Sequence, residues 1–470
     1  MRFLPAAAAA LPVLAAHAAP LAEPTCSNTD VVILGAGVAG LTAATKGVEK
    51  FIVLEARNES GGRLYSRNFA GHKIEVGANW VHGPGGPETG NINPMWTMVE
   101  RAGLKKVETN EKDRVVFPKQ SATAISAAPE SAGAAKEEVI GHSEPVSASS
   151  TGIRRRMTRP DNWRIEENSE VFGAISTIAT YEYFSKGDLF ISDKRGFVSA
   201  FRENVSAVLN GPADRVRFNN KVIKIKHSPN GVTVTSDKGC VNAKYAIDTF
   251  SLGVLQRGHV EYDPPLPPWK AQSIAGFEIG TYTKIFLKFK SSFWGKKAVP
   301  SPLDIHGLDE DSKILVATVT GERSYRVESQ TNEETKQELL DVLKHMYGDK
   351  VSELEEIYYP RWSTEDWSYG SYSYWPPSIS LQEHQNLCAN VDSVFFAGEA
   401  TSQEFFGYLH GAYYEGKHVA EFLAPCLNMD PEVPWCQATN YQVLTEVTPY
   451  DLYNPANGWY IYNNKVPGHD

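Results

Sequence analysis

At 470 residues the chain is too long for one compact core and is expected to form two domains. Its 42% apolar and 22% charged residues are those of a soluble globular protein. The formal charge of -10 argues against nucleic acid as a partner and mildly favours the approach of cationic ligands.

The N-terminus, MRFLPAAAAALPVLAAHAAPL, combines one basic residue, a short Ala/Leu-rich run and the small-residue cleavage signal Ala16-His17-Ala18. This pattern predicts a secretory signal peptide over residues 1–18 and a secreted, extracellular mature protein. No later run approaches the roughly 18 to 20 apolar residues that span a bilayer. An oxidising compartment permits disulfides. Five cysteines leave at least one unpaired; Cys426 and Cys436, close together near the C-terminus, are the expected bridge, and nothing in the spacing pairs Cys26, Cys240 or Cys388.

Next, DVVILGAGVAGLTAATKGVEKFIVLEAR reads as strand, glycine turn, helix and strand, the opening βαβ unit of a doubly wound sheet. Gly35, Gly37 and Gly40 follow the strand and open the helix, so that backbone N–H groups and the helix dipole can meet a pyrophosphate at close approach. Glu55 ends the second strand, placed to accept hydrogen bonds from a ribose 2′-OH. Together these residues predict dinucleotide binding. Residues 120 to 152 are Ala/Ser-rich, with almost no large apolar side chains, and read as weak helix or mobile loop. Arg154-Arg155-Arg156 reads as a solvated charge run.

Further on, KVIKIKHSPNGVTVTS alternates around Asn230-Gly231, a strong hairpin signal. TYTKIFLKF, residues 281 to 289, is rich in β-branched and aromatic residues yet carries Lys284 in its middle. Alternation puts Tyr282, Lys284, Phe286 and Lys288 on one face and Thr283, Ile285, Leu287 and Phe289 on the other. Burying an unpaired ammonium costs several kcal/mol or strips its proton, so position alone favours a solvated face for Lys284. A helix is predicted over 333–346, with Thr331 and Glu334 spaced as a capping box and Gly348 as its stop. SVFFAGEA then gives another buried strand, and GYLHGAYYEGKHVAEFL has the apolar spacing of a closing helix.

Gly61-Gly62-Arg63, just after the acidic strand end, resembles the GGR signature of flavoprotein amine oxidases. With IEVGANWVHG, the TYTKIFLKF strand, FFAGEATS and GYLHGAY in the family's order, the chain resembles the flavin-containing polyamine oxidases, especially secreted plant and fungal ones. The likeness covers most of residues 30 to 425. It implies an α/β fold with a doubly wound, Rossmann-like FAD-binding domain assembled from 27–110, 212–262 and 382–426. An α+β substrate domain with a mixed sheet would take 111–211 and 263–381, leaving 427–470 as a tail. FAD is the implied cofactor, a small cationic amine and O2 the implied reactants, and the protein is expected to act as a monomer.

The resemblance also assigns residues. Gly35, Gly37, Gly40, Glu55, Ala56, Arg57, Gly62 and Arg63 would hold FAD, with Arg63 along the diphosphate and the backbone of Val222 against the adenine. Gly77, Ala78, Asn79 and Trp80 would line the flavin, and Gly398 and Glu399 its ribityl chain. Lys284 would reach flavin N5 through a water, its face with Tyr282 turned to the isoalloxazine. Tyr408 and Tyr372 match the two aromatic positions flanking the substrate amine, which ring quadrupoles hold when it is charged. His82 stands where plant members carry a glutamate and other polyamine oxidases a histidine; it can hydrogen-bond the amine or accept its proton. Core packing is the competing reading for each aromatic, and a structural role that for His82. The implied reaction is hydride transfer from the carbon beside nitrogen to flavin N5, hydrolysis of the imine to an aldehyde and a shorter amine, and reduction of O2 to H2O2.

Three stretches are shorter than the family pattern. Between Gly40 and Phe51 the first helix lacks about one turn, roughly four residues. Between Trp163 and Phe172 the segment that would carry acidic residues along the substrate tunnel is largely absent, and between Trp294 and Ile314 a hairpin of the substrate sheet is expected to be missing. They leave open an oxidase of monoamines or L-amino acids, although no matched motif offers an arginine for a carboxylate. They equally leave open a flavin-binding paralogue impaired in turnover.

Overall fold

The computed structural model describes residues 26–87, 89–108, 180, 183–185, 187–294, 306–307, 312–376, 379 and 381–428. The expected signal peptide, the 120–152 segment, the arginine run, the shortened 163–172 stretch, Cys436 and the C-terminal tail lie outside the described residues.

Val31–Leu34 is four consecutive buried aliphatic residues, a run that only a strand covered on both faces can accommodate. Phe51–Leu54 pairs parallel on one side of it and Tyr245–Asp248 on the other. Val216–Arg217 and Val394–Phe396 complete a five-stranded parallel sheet. Val31, Ile33 and Val53 face the helices Val38–Ala43, Pro94–Arg101, Phe197–Asn204 and Leu409–Asn428. Val32, Leu34, Ile52 and Leu54 pack instead on a second five-stranded sheet built around Val222–Ser228, Gly231–Ser236 and Gly239–Ala243. Its hairpin turns where Asn230-Gly231 predicts, with Ser228 opposite Gly231.

The cysteine expectations need correction. Cys26 and Cys240, which the spacing left unpaired, form a disulfide across 214 residues of sequence. Parallel pairing of Ser27 with Val241 brings the two together, a proximity that linear spacing hides. Cys426 is disulfide-bonded, its expected partner Cys436 lying outside the described residues, and Cys388 is free.

Tyr282–Phe289 runs antiparallel between Ile314–Thr320 and Leu354–Tyr358 in a four-stranded sheet. Ile285, Leu287 and Phe289 pack toward Val327 and Leu343 on the helices Gly321–Ser329 and Asn332–Tyr347. On the other face Phe286 meets Phe69, Ile74 and Trp362. The alternation is therefore as read, but the face carrying Lys284 is covered rather than solvated: Lys284 is 4% exposed, beneath the hairpin of Ser66–Phe69 and His72–Glu75. Helix Asn332–Tyr347 starts with the predicted Thr331/Glu334 capping box and stops at Gly348. No helix among the described residues is long and apolar enough to cross a membrane.

Candidate active site

Two glycine turns meet at the C-terminal ends of the first two parallel strands. Gly35 adopts φ +116°, and a Cβ on Gly40 would lie 2.1 Å from the Gly35 carbonyl, so only glycine lets the helix seat against the strand. Gly61 N–H donates to the Ala36 carbonyl at 2.9 Å. Across this contact a Cβ on Gly62, itself at φ +59°, would come within 3.2 Å of Gly37 Cα. Glu55 accepts the Ala36 N–H at 2.7 Å and the Arg57 N–H at 2.9 Å, and burial pushes its carboxyl above the ordinary range. Ala56 is exposed between them. The Arg57 guanidinium donates to the Gly62 carbonyl at 3.2 Å and lies over Tyr65 and Trp367. Asn219 and Asn220 return N–H groups to the carbonyls of Arg57 and Glu55, which carries Val222 to the same end of the sheet.

Arg63 joins this turn to the rest of the site. Its carbonyl accepts the Ala78 N–H and leaves no room for a side chain at Gly77, whose Cβ would sit 1.8 Å away. Its guanidinium pairs with Glu399 at 2.7 Å. Glu399 also accepts from Ser373 Oγ at 2.5 Å and Gly407 N–H at 2.7 Å, so one buried carboxylate fixes three segments. Gly398, extended at φ -179°, precedes it.

Lys284 rests on the segment 75–79. Its Nζ donates to the carbonyls of Glu75 at 3.1 Å and Gly77 at 2.5 Å and to Asn79 Oδ1 at 3.3 Å, and it lies 5.3 Å from the centre of the Trp80 ring. Burial lowers its proton affinity toward neutrality, while the Glu75 carboxylate nearby opposes that shift. Asn79 is held in turn by donating to the Ile191 carbonyl. Trp80 packs edge-on to Phe190, and its Nε1 is buried with no hydrogen-bond partner among the described residues.

Trp80–His82 pairs antiparallel with Asp188–Ile191, placing His82 directly across from Asp188. The His82 Nδ1 therefore meets the Asp188 carboxylate at 3.0 Å. The ring of Tyr408 stands edge to His82 with centroids 5.0 Å apart and stacks on His410 at 5.1 Å. Tyr372 lies alongside Gly407, 3.6 Å from the position of a Cβ there, and pairs through its backbone with Gly280. Tyr282 N–H donates to Ser371 Oγ at 2.9 Å, tying the lysine strand to the tyrosine strand.

The fold thus gathers the candidate residues into one connected region: glycine turns and Glu55 at one end, Lys284 with Gly77, Asn79 and Trp80 in the middle, and His82, Tyr408 and Tyr372 at the other. A dinucleotide flavin fits this arrangement: Gly62, at φ +59° with a Cβ position only 3.2 Å from Gly37 Cα, keeps the backbone of the two turns open to close approach, and the buried Trp80 indole N–H has no partner among the described residues. Sequence reasoning passed over Asp188, Glu75 and His410. Glu75 stood unremarked inside the quoted IEVGANWVHG motif; Asp188 carried no signal, since only strand pairing sets it beside His82.

The family described as "Flavin containing amine oxidoreductase" matches residues 38–423. Polyamine oxidase 1 of Zea mays is 31% identical, the match covering 84% of this chain and 90% of that one. Polyamine oxidase 6 of Oryza sativa subsp. japonica is likewise 31% identical, with the same coverage of 84% and 90%. Among solved structures, putrescine oxidase bound to putrescine superposes with a TM-score of 0.59 at 19% identity, over 86% of this chain and all of that one. Cyclohexylamine oxidase from Brevibacterium oxydans gives 0.60 at 18%, over 85% of this chain. At these identities the structural likeness speaks for the fold.

Proposed function

Because the chain belongs to the flavin-containing amine oxidoreductase family and is an FAD-dependent amine oxidase, we propose that it oxidises polyamines, spermine, spermidine or their acetyl forms, outside the cell. The products are an aldehyde, a shorter amine and H2O2. The observation that carries this reading is the buried Lys284 on its shelf of carbonyls, continuous through Trp80 and His82 with the ring of Tyr408. The names of the plant relatives support the substrate class.

The glycine turns, Glu55, Arg57, Arg63, the Val222 backbone, Gly398 and Glu399 are the residues that would hold FAD. Bound FAD supplies the two-electron redox chemistry and the reaction with O2. The protein's own contribution is orientation and proton control. Tyr408 and Tyr372 would hold the amine between their rings. His82, oriented by Asp188, receives the amine proton. Lys284, held by the carbonyls of Glu75 and Gly77, would hold or release protons beside the bound flavin. Export is supported by the N-terminal Ala/Leu-rich run and by the Cys26–Cys240 bond, since such bonds persist in oxidising compartments.

The test is to record the visible spectrum of the purified chain and add spermine anaerobically. A flavin band near roughly 450 nm that bleaches with spermine supports the proposal. A band bleached only by a monoamine or an L-amino acid would replace the substrate class, and a band that no amine bleaches would make the chain a flavin-binding paralogue.

A further inference from the structure

A cavity of about 230 Å³ lies beside the lysine shelf, lined by His72, Lys73, Glu75, Ser192, Asp193 and Lys194 among others. Lys194 is exposed at its mouth, whereas Glu75, 5% exposed, and Ile191, 2% exposed, lie at its base. Such a volume holds several waters. Ser192 Oγ is buried there with no hydrogen-bond partner among the described residues, and water in the cavity would satisfy it.

Glu75 belongs to both the cavity and the active site. Its carbonyl accepts from Lys284 Nζ, while its carboxylate accepts from Ser66 Oγ at 2.7 Å and from the Phe197 N–H at 2.6 Å. We propose that Glu75 is a positioning residue for Lys284: a carboxyl in exchange with solvent through the cavity, whose charge decides how firmly Lys284 keeps its proton. The inference rests on the role of Lys284 argued above.

The surrounding charges support it. Among the described residues, the Glu75 carboxylate acts on Lys284 and favours the ammonium that burial opposes. Burial raises the Glu75 carboxyl itself, and Ser66, the Phe197 N–H, Lys284 and Lys73 pull it back. Of the remaining groups at the cavity, Asp193 is committed to Arg195, while His72 is half-buried and Lys194 exposed. The cavity therefore gives the Glu75–Lys284 pair a way to exchange protons with water that does not pass the substrate rings.

The experiment uses the FAD-loaded full chain with ε-13C-labelled lysine, the Lys284 resonance being identified by its loss in Lys284→Met. In Glu75→Gln, which keeps an acceptor for the Phe197 N–H, the Lys284 titration midpoint should fall by about one pH unit, a tenfold loss of proton affinity. Ser66→Ala removes one donor from the carboxylate and should move the midpoint the same way by less; it decides the matter if Glu75→Gln does not fold. Ser192→Leu puts hydrocarbon in place of water beside Glu75, and the midpoint should again fall. A midpoint unmoved in Glu75→Gln would overturn the proposal, and one unmoved in Ser192→Leu would sever the cavity from the pair. A colourless protein would count against the FAD reading, whereas a yellow one with an unmoved midpoint defeats this inference alone.

Discussion

His410 lies beneath Tyr408 with both ring nitrogens engaged, Nε2 with Thr180 Oγ1 at 3.0 Å and Nδ1 with Asn93 Nδ2 at 3.4 Å. An amide nitrogen can only donate, so Nδ1 accepts and the imidazole is neutral with its proton on Nε2. Burial first, and His82 second, hold its pKa well below the ordinary value. The sign follows: below about pH 6.5 the unfolded chain binds a proton here that the folded one refuses, so this residue's stabilisation is present above that pH and lost as pH falls. The stability gap between wild type and His410→Gln should therefore shrink by about 1.4 kcal/mol per pH unit from 6.5 toward 5, measured by denaturant unfolding. Two substitutions test the chemistry at the same scale. Lys284→Met should slow both flavin reduction and reoxidation more than about tenfold; rates within about twofold of wild type, worth roughly 0.4 kcal/mol, would remove Lys284 from the mechanism. Asp188→Asn keeps the shape but not the charge that orients His82, and should lower the reduction rate about tenfold with FAD content unchanged, as stopped-flow absorbance would read.

At the scale of elements, the site depends on where helices and hairpins close over it. Helix Leu409–Asn428 crosses the first helix at Gly416, where a Cβ would lie 2.1 Å from the Ala39 carbonyl. Gly416→Ala should push the two apart, cost about 1–3 kcal/mol and weaken FAD retention, because the glycine turn sits at the start of that first helix. Unchanged FAD content and melting temperature would contradict this. The parts legible in the sequence were those with local causes: the Thr331/Glu334 box caps its helix through contacts three residues apart, and the GAGVAG turn follows from what glycine permits. Lys284 was misjudged from position because alternation says which residues share a face and not what covers it. The cover is the 66–75 hairpin, more than two hundred residues earlier in the chain. Asp188 escaped for the same reason, its partnership with His82 being a product of strand register.

For the whole molecule, the parallel sheet is drawn from five separated stretches of chain, and the Cys26–Cys240 bond ties two adjacent strands at one edge of the second sheet across 214 residues. Loop-closure entropy for a ring of that size comes to about 5 kcal/mol, with 2–5 kcal/mol the usual cost of removing a native bridge. Cys26→Ser should lower the unfolding midpoint accordingly in non-reducing denaturant titrations, and a midpoint equal to wild type would show that the bond is idle. The same long span sets a timetable for synthesis. At about 5–20 residues per second, the ribosome delivers Cys240 roughly 10–40 s after Cys26, and Tyr245–Asp248, the second neighbour of the central strand, follows directly behind it. Until then the nascent chain carries a lone thiol and an apolar strand with one open edge. A pause between Leu54 and Tyr245 would prolong the exposure of both.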